Sequence, residues 1–246
     1  SFVCRIGAAE RNVMIRNLLL DLDDTILDFH RAEKIALTRA LTEAGVEVTD
    51  ARLARYSEIN DSRWRLLEEK KITRPEVLFS RFEIFFSELG ICADAHAVQK
   101  AYEHYLSIGH FFMPGAEELL KTLYPRYRLY LASNGTASVQ AGRIASAGIA
   151  KYFKAMCISE QIGADKPDPA FFEAVFSKIP DFRREETLML GDSLTSDIRG
   201  GRNAGIRTVW YNPKHKPRRD DILPNYEIES LEDFPALIEK ISEEDK

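Results

Sequence analysis

The sequence predicts an α/β protein, a doubly wound parallel sheet with an inserted helical cap domain, and three observations carry that expectation. A nearly continuous apolar run at Ile15 to Asp21 has the pattern of a strand buried on both faces, and it ends in carboxylates. From about Phe29 to Gly109 the chain shows helix periodicity without a strand signal. Beyond Pro114 and Gly115 strand and helix patterns alternate, as repeated βα units require.

Taken in order, the first strand leads into four predicted helices, Ala32 to Ala44, Asp50 to Lys70, Arg74 to Leu89 and Asp94 to Ile108. Gly45 and Gly90 close the first and third, because glycine tolerates the left-handed backbone that follows a last helical turn. The alternating part then reads helix 115–124, strand 127–133, helix 136–147, strand 155–159, helix 168–178, strand 187–191, helix 195–204 and strand 207–211. A short strand at Tyr226 to Ile228 and a helix from Leu231 to Ile241 complete it. The organisation expected is an extension over 1–13, an α/β core from 14–28 and 110–246, and a helical cap over 29–109.

Composition narrows the function. At 246 residues, 45% hydrophobic and 30% charged, the chain is excluded from the disordered, collagenous and coiled-coil classes. A net charge of −5 does not favour a nucleic acid polymer or an anionic membrane, so a small ligand is the expected partner. Cys4, Cys92 and Cys157 are odd in number, far apart and without a CxxC pair, which points away from a disulfide framework or zinc and towards a reducing cytoplasm. The sequence has neither a run long enough to span a membrane nor one resembling a signal peptide, so a cytoplasmic protein is expected.

In doubly wound sheets ligands bind beyond the carboxyl ends of the strands, and here those ends are rich in functional groups. The first closes on Asp21, Leu22, Asp23, Asp24 and Thr25, the second on Ser133, Asn134 and Gly135, the fourth on Gly191, Asp192 and Ser193 with Asp197 beyond; Lys166 follows the third. Several carboxylates meeting in one crevice would repel unless a cation sat between them, and oxygen ligands of this kind suit Mg2+. Asp21 and Asp23 fall on the same side of an extended strand, one placed to serve as nucleophile and the other as proton donor in phosphoryl transfer. Ser133, Asn134 and Gly135 stand where a helix begins, so a hydroxyl and backbone N–H groups form a cradle for an anion. Lys166, stiffened by Pro167 and Pro169, offers an ammonium to a phosphate oxygen.

These residues, in this order, resemble the haloacid dehalogenase superfamily: DLDDT at 21–25, SNG at 133–135, Lys166, and GDSLTSD at 191–197. The resemblance implies a Rossmann-like core, Asp21 as nucleophile, Asp23 as general acid and base, Ser133 and Asn134 as phosphate ligands, and Lys166 as charge-neutralising cation. It implies a metal held by the Asp21 side chain, the Asp23 backbone carbonyl and Asp192, with Thr25, Ser193 and Asp197 supporting. Asp23 separates phosphatases and phosphomutases of that family from its dehalogenases. More narrowly, Leu27 to Glu33, Tyr56, Ile59, Asn60, Trp64, Ile72, Thr73 and the stretch from Gly191 to Asn212 are similar to the house-cleaning pyrimidine 5′-nucleotidases, although Lys70 and Lys71 stand where that subgroup has a glycine.

Other features have plainer readings. Phe79, Phe82, Phe85 and Phe86 fall at helical spacing and are expected in the cap core. The basic run Lys214 to Arg219 reads as a solvated loop, His30 and His110 as packing or capping groups, and Gly200 and Gly201 as close-packing sites. The expected function is a Mg2+-dependent phosphomonoester hydrolase working through an aspartyl phosphate on a small phosphorylated metabolite, foremost a nucleoside 5′-monophosphate read by Asn60 and Trp64. Sugar phosphates or phosphoglycolate are the alternative substrates; a phosphomutase, a dehalogenase and a non-catalytic binding module rank below.

Overall fold

The computed structural model describes residues 14–244, so the expectations on residues 1–13, Cys4 included, lie outside the described residues. Six parallel strands form one sheet in the order β3-β2-β1-β4-β5-β6. These are β1 (Asn17–Leu20), β2 (Arg128–Ser133), β3 (Phe153–Ile158), β4 (Thr187–Gly191), β5 (Arg207–Tyr211) and β6 (Tyr226–Ile228). The central strand β1 pairs Leu20 with Leu131 on one side and with Leu190 on the other, which leaves it buried on every face.

The two-residue alternation of the strands builds a separate core on each face of the sheet. Leu18, Leu20, Leu129, Leu131, Leu188 and Leu190 pack with α5 (Ala116–Leu123) and α10 (Phe234–Glu244). Leu19, Tyr130 and Met189 point the other way, onto α8 (Pro169–Phe176) and the residues just after α9 (Arg199–Asn203). Close packing there depends on glycine: a Cβ on Gly200 would lie 2.4 Å from the Phe172 ring, and one on Gly201 2.6 Å from Thr208. Helix α6 (Ala137–Ala147) follows β2, and a short helix α7 (Ser159–Ile162) follows β3 where sequence patterning gave a loop.

Between β1 and α5 lie four helices, α1 (Phe29–Glu43), α2 (Asp50–Glu68), α3 (Arg74–Leu89) and α4 (Ala95–Ser107). Asp28 caps α1 by accepting from the Arg31 N–H, so this helix begins three residues before the expected start, where His30 and Arg31 hide its apolar period. Thr73 and Glu76 form a capping box at α3, and Gly90 ends it in the left-handed conformation. The block has its own apolar core, in which Tyr56, Phe82, Phe85, Phe86 and Tyr102 meet, with ring centroids 4.6 Å apart for Tyr56 and Phe82. Phe79 corrects the expectation for the aromatic row: it is 46% exposed, beside the His96 ring, because it sits one residue off the inward stripe. Lys70 adopts φ +57 at the turn after α2, so the left-handed turn survives without glycine.

Two helix starts deviate from the expected form. The run expected as one helix over 195–204 opens with a π-helical turn at Leu194–Ile198, and the last helix is preceded by a 3-10 turn at Leu231–Asp233. Among the described residues, no helix is long and apolar enough to cross a membrane.

Candidate active site

The site is assembled at the carboxyl ends of β1, β2 and β4. Strand β1 stops at Leu20, so the acid motif occupies the loop beyond it, and Asp24 takes φ +58 to turn the chain away. Asp21, Asp23, Asn134, Gly135, Lys166, Asp192 and Ser193 all line one cavity of about 470 Å3, a size suited to a small ligand.

Lys166 is its fixed point. Though only 1% exposed, it has all three ammonium protons engaged, each at 2.7 Å, by Asp21 Oδ1, Asp197 Oδ1 and the Ala132 carbonyl. Burial alone would lower its pKa, but the carboxylates of Asp197 and Asp21 raise it above the ordinary lysine range. Thr25 Oγ1 donates to the other oxygen of Asp21 at 3.2 Å, and the Ser193 N–H donates to Asp197 Oδ2 at 3.0 Å. Gly191 makes room for this arrangement, since a Cβ there would lie 2.2 Å from Asp197 Oδ2.

Asn134, expected as a phosphate ligand, lines the cavity and also braces the lysine loop. Its Oδ1 accepts from the Lys166 N–H at 2.7 Å and its Nδ2 donates to the Lys166 carbonyl at 2.8 Å, so both ends of the amide hold the lysine loop. Ser133 Oγ, buried, accepts from Gln140 Nε2 at 2.8 Å and from the Gly135 N–H at 3.3 Å. Gly135 is required sterically, because a Cβ would lie 2.3 Å from Gln140 Nε2.

Asp23 is gripped by two residues that sequence reasoning missed. Gln140 Nε2 donates to Asp23 Oδ2 at 2.7 Å, and Arg143 Nη1, buried and also bonded to Gln140, donates to Asp23 Oδ1. Both project from α6 one turn apart, and the only signal was a pair of polar residues on an otherwise apolar helix face. Lys216 is the third omission: the loop expected to be solvated brings its Nζ to 2.9 Å from Asp192 Oδ2. Asn212 pins that loop, accepting from the Lys216 N–H at 2.8 Å and donating to its carbonyl at 3.0 Å.

Carboxylate oxygens of Asp21, Asp192 and Asp197 lie within 4.8 Å of one another. Burial, aided by Asp197, pushes Asp21 up to about 8; burial likewise raises Asp192 to about 6 against the pull of Lys216. Such shifts are what clustered acids undergo without enough positive charge, and an all-oxygen donor set of this kind fits a hard divalent cation.

The four-helix block closes over this crevice. Thr195 Oγ1 donates to Glu68 Oε2 at 2.9 Å, Lys70 Nζ meets Asp168 Oδ2 at 2.6 Å, and Arg74 binds Asp165 and the Gly135 carbonyl. Trp64 lines the cavity with the Arg74 guanidinium 5.3 Å over its ring. Asn60, expected beside it as a reader, is 1% exposed: its Nδ2 donates to Glu33 Oε1 at 2.9 Å and its Oδ1 accepts from Arg81 Nη1 at 3.0 Å. The His30 N–H donates to Asp24 Oδ1 at 3.4 Å, and its ring Nε2 lies 3.1 Å from Asp24 Oδ2.

Residues 15–205 match the family of haloacid dehalogenase-like hydrolases. The chain is 43% identical over 224 residues to the pyrimidine 5′-nucleotidase PynA of Streptococcus pneumoniae, covering 91% of this chain and 94% of that protein. It is 41% identical over 223 residues to the HAD-hydrolase YfnB of Bacillus subtilis, covering 91% and 95%. A crystal structure of YfnB bound to magnesium, in which interdomain movement was seen, superposes with a TM-score of 0.87 over 92% of this chain and 99% of that one, at 40% identity.

Proposed function

The chain belongs to the haloacid dehalogenase-like hydrolases and is a phosphoric monoester hydrolase, and from that premise we propose that it cleaves pyrimidine nucleoside 5′-monophosphates through a phosphorylated Asp21. The observation that carries the substrate is the 43% identity to a pyrimidine 5′-nucleotidase across nearly the whole of both chains. We read residues 29–109 as a cap and residues 14–28 with 110–246 as the catalytic core.

Asp21 attacks phosphorus, forming a new O–P bond as the ester bond to the nucleoside oxygen breaks, and Asp23 delivers a proton to that departing oxygen. Gln140 and Arg143 hold Asp23 where it can do so. Asp23 then takes a proton from water, which attacks the same phosphorus and restores the Asp21 carboxylate. The Ser133 hydroxyl and the N–H groups at the start of α6 bind phosphate oxygens, and Lys166 offsets the charge that accumulates between them and Asp21. Side chains of Asp21 and Asp192 and the backbone carbonyl of Asp23 would hold Mg2+, which when bound supplies charge compensation between carboxylate and phosphate. A cap that shuts over the leaving group excludes water and chooses the substrate.

The test is phosphate release from a broad panel of phosphomonoesters with Mg2+. Pyrimidine nucleotides are expected to lead; a panel led by phosphoglycolate or a hexose phosphate would refute the nucleotide reading and favour a sugar-phosphate or phosphoglycolate phosphatase.

A further inference from the structure

We propose that Arg81 of α3 selects the leaving group, by donating a hydrogen bond from Nη2 to a neutral ring carbonyl of the base. The proposal rests on the nucleotide reading above and deepens it.

Arg81 is 3% exposed yet lines the same cavity as Asp21 and Asp192, at the end enclosed by the cap. Two of its donors are committed: Nε gives to Gln99 Oε1 and Nη1 to Asn60 Oδ1, both at 3.0 Å. The Tyr102 ring backs the guanidinium at 4.9 Å. Nη2 meets Glu103 Oε1 only as an ion pair at 4.0 Å, too long for a hydrogen bond, and Gln99 Nε2 is buried without a partner among the described residues. Withdrawing a guanidinium from water is costly unless its N–H groups are filled, and the bonds to Gln99 and Asn60 fill only two of its three nitrogens. A donor fixed from two sides, left unfilled at a cavity wall, has the geometry of a preorganised ligand contact.

The surrounding charge defines the ligand atom. Glu103 flanks Nη2, and Glu33 stands behind Asn60, so this end of the cavity has no surplus positive charge to attract a second anion. A guanidinium N–H offered there suits a neutral acceptor, and every pyrimidine base carries a carbonyl at ring position 2. Trp64, on the same cavity, offers a face on which such a ring can lie. Asn60 becomes a positioning residue that holds Arg81 and does not itself read the base.

The experiment compares specificity constants for uridine 5′-monophosphate and ribose 5-phosphate, which shares the phosphate and sugar but has no base, in the full chain and in Arg81→Gln and Arg81→Lys. Losing one charged hydrogen bond should lower the ratio of the two constants by about tenfold or more, through KM more than kcat. Arg81→Lys retains the charge but not the fork, and it decides the matter if Arg81→Gln does not fold. A ratio that stays within about twofold of the parent in a folded variant overturns the proposal while leaving the nucleotide reading in place. A parent that fails to prefer the nucleotide overturns both, and this is visible before any substitution is made.

Discussion

Lys216 Nζ stands 2.9 Å from Asp192 Oδ2, an ammonium lodged against a carboxylate that the proposed mechanism assigns to a metal ion. Two cations cannot share that oxygen without repulsion, so the lysine competes with the ion. Lys216→Met should therefore tighten Mg2+ binding by about two- to fivefold, the range expected for losing one partly exposed charge pair. Isothermal titration with Mg2+ measures this, and weaker binding by the variant would mean that Lys216 assists the ion.

Phosphate release should require Mg2+, because the Asp21 carboxylate must approach an anionic phosphate. Repulsion between two unit charges at 4 Å is on the order of 4 kcal/mol at an effective dielectric of 20, enough to slow attack severely. Turnover that persists undiminished in excess chelator contradicts this.

The two acids of the first motif should fail differently. Asp21→Asn is expected to abolish turnover without unfolding the chain, since an amide cannot accept the phosphoryl group. Asp23→Asn should cost roughly 100- to 10,000-fold on alkyl phosphates and less on aryl phosphates, whose leaving oxygen needs no proton. Steady-state rates on both substrate types check it; equal losses would remove Asp23 from the role of acid.

Trp64→Ala should lower the specificity constant for nucleotides by about tenfold, as expected when a stacked base loses its platform. A small aryl phosphate, which hardly reaches the cap, serves as the control in the same assay. Parallel losses on both would make Trp64 a packing residue for Arg74.

Glu33 links pH to stability. Burial raises its pKa above the ordinary 4.5, against the hydrogen bonds from Ser57 and Asn60 that favour the ionised form. Between pH 4.5 and that raised value the folded chain holds a proton that the unfolded chain has released, so this group's contribution falls as pH rises through the window and is constant below 4.5. In Glu33→Gln that decline should disappear, and thermal melts of both proteins across this window should diverge increasingly in favour of the variant as pH rises.

Much of this architecture was legible in the sequence because it depends on local signals. The apolar run before Asp21, the exact bounds of β4 and β5 and the glycine stop of α3 follow from short-range sterics and periodicity. The acid cluster was legible because its members end strands. What escaped were groups whose meaning depends on a distant partner: Arg143 lies 120 positions from Asp23, and Lys216 24 from Asp192. No composition rule distinguishes Lys216 from its solvated neighbours, and Asn134 gave no sign that both ends of its amide would be taken by the Lys166 backbone.

The insertion of four helices between β1 and α5 also bears on how the chain folds. Strand β1 finds its neighbours only across more than a hundred residues, Leu20 opposite Leu131 and Leu190, whereas the helical block packs mainly over shorter spans, α1 on α4 and α2 on α3. Contacts of short span form sooner, and the closure entropy of a long loop grows only with the logarithm of its length. The helical block is thus free to collapse early and bring the ends of β1 and β2 towards each other. Asp21 acquires its surroundings only when the central strand docks, because its partner Lys166 lies 145 positions along the chain.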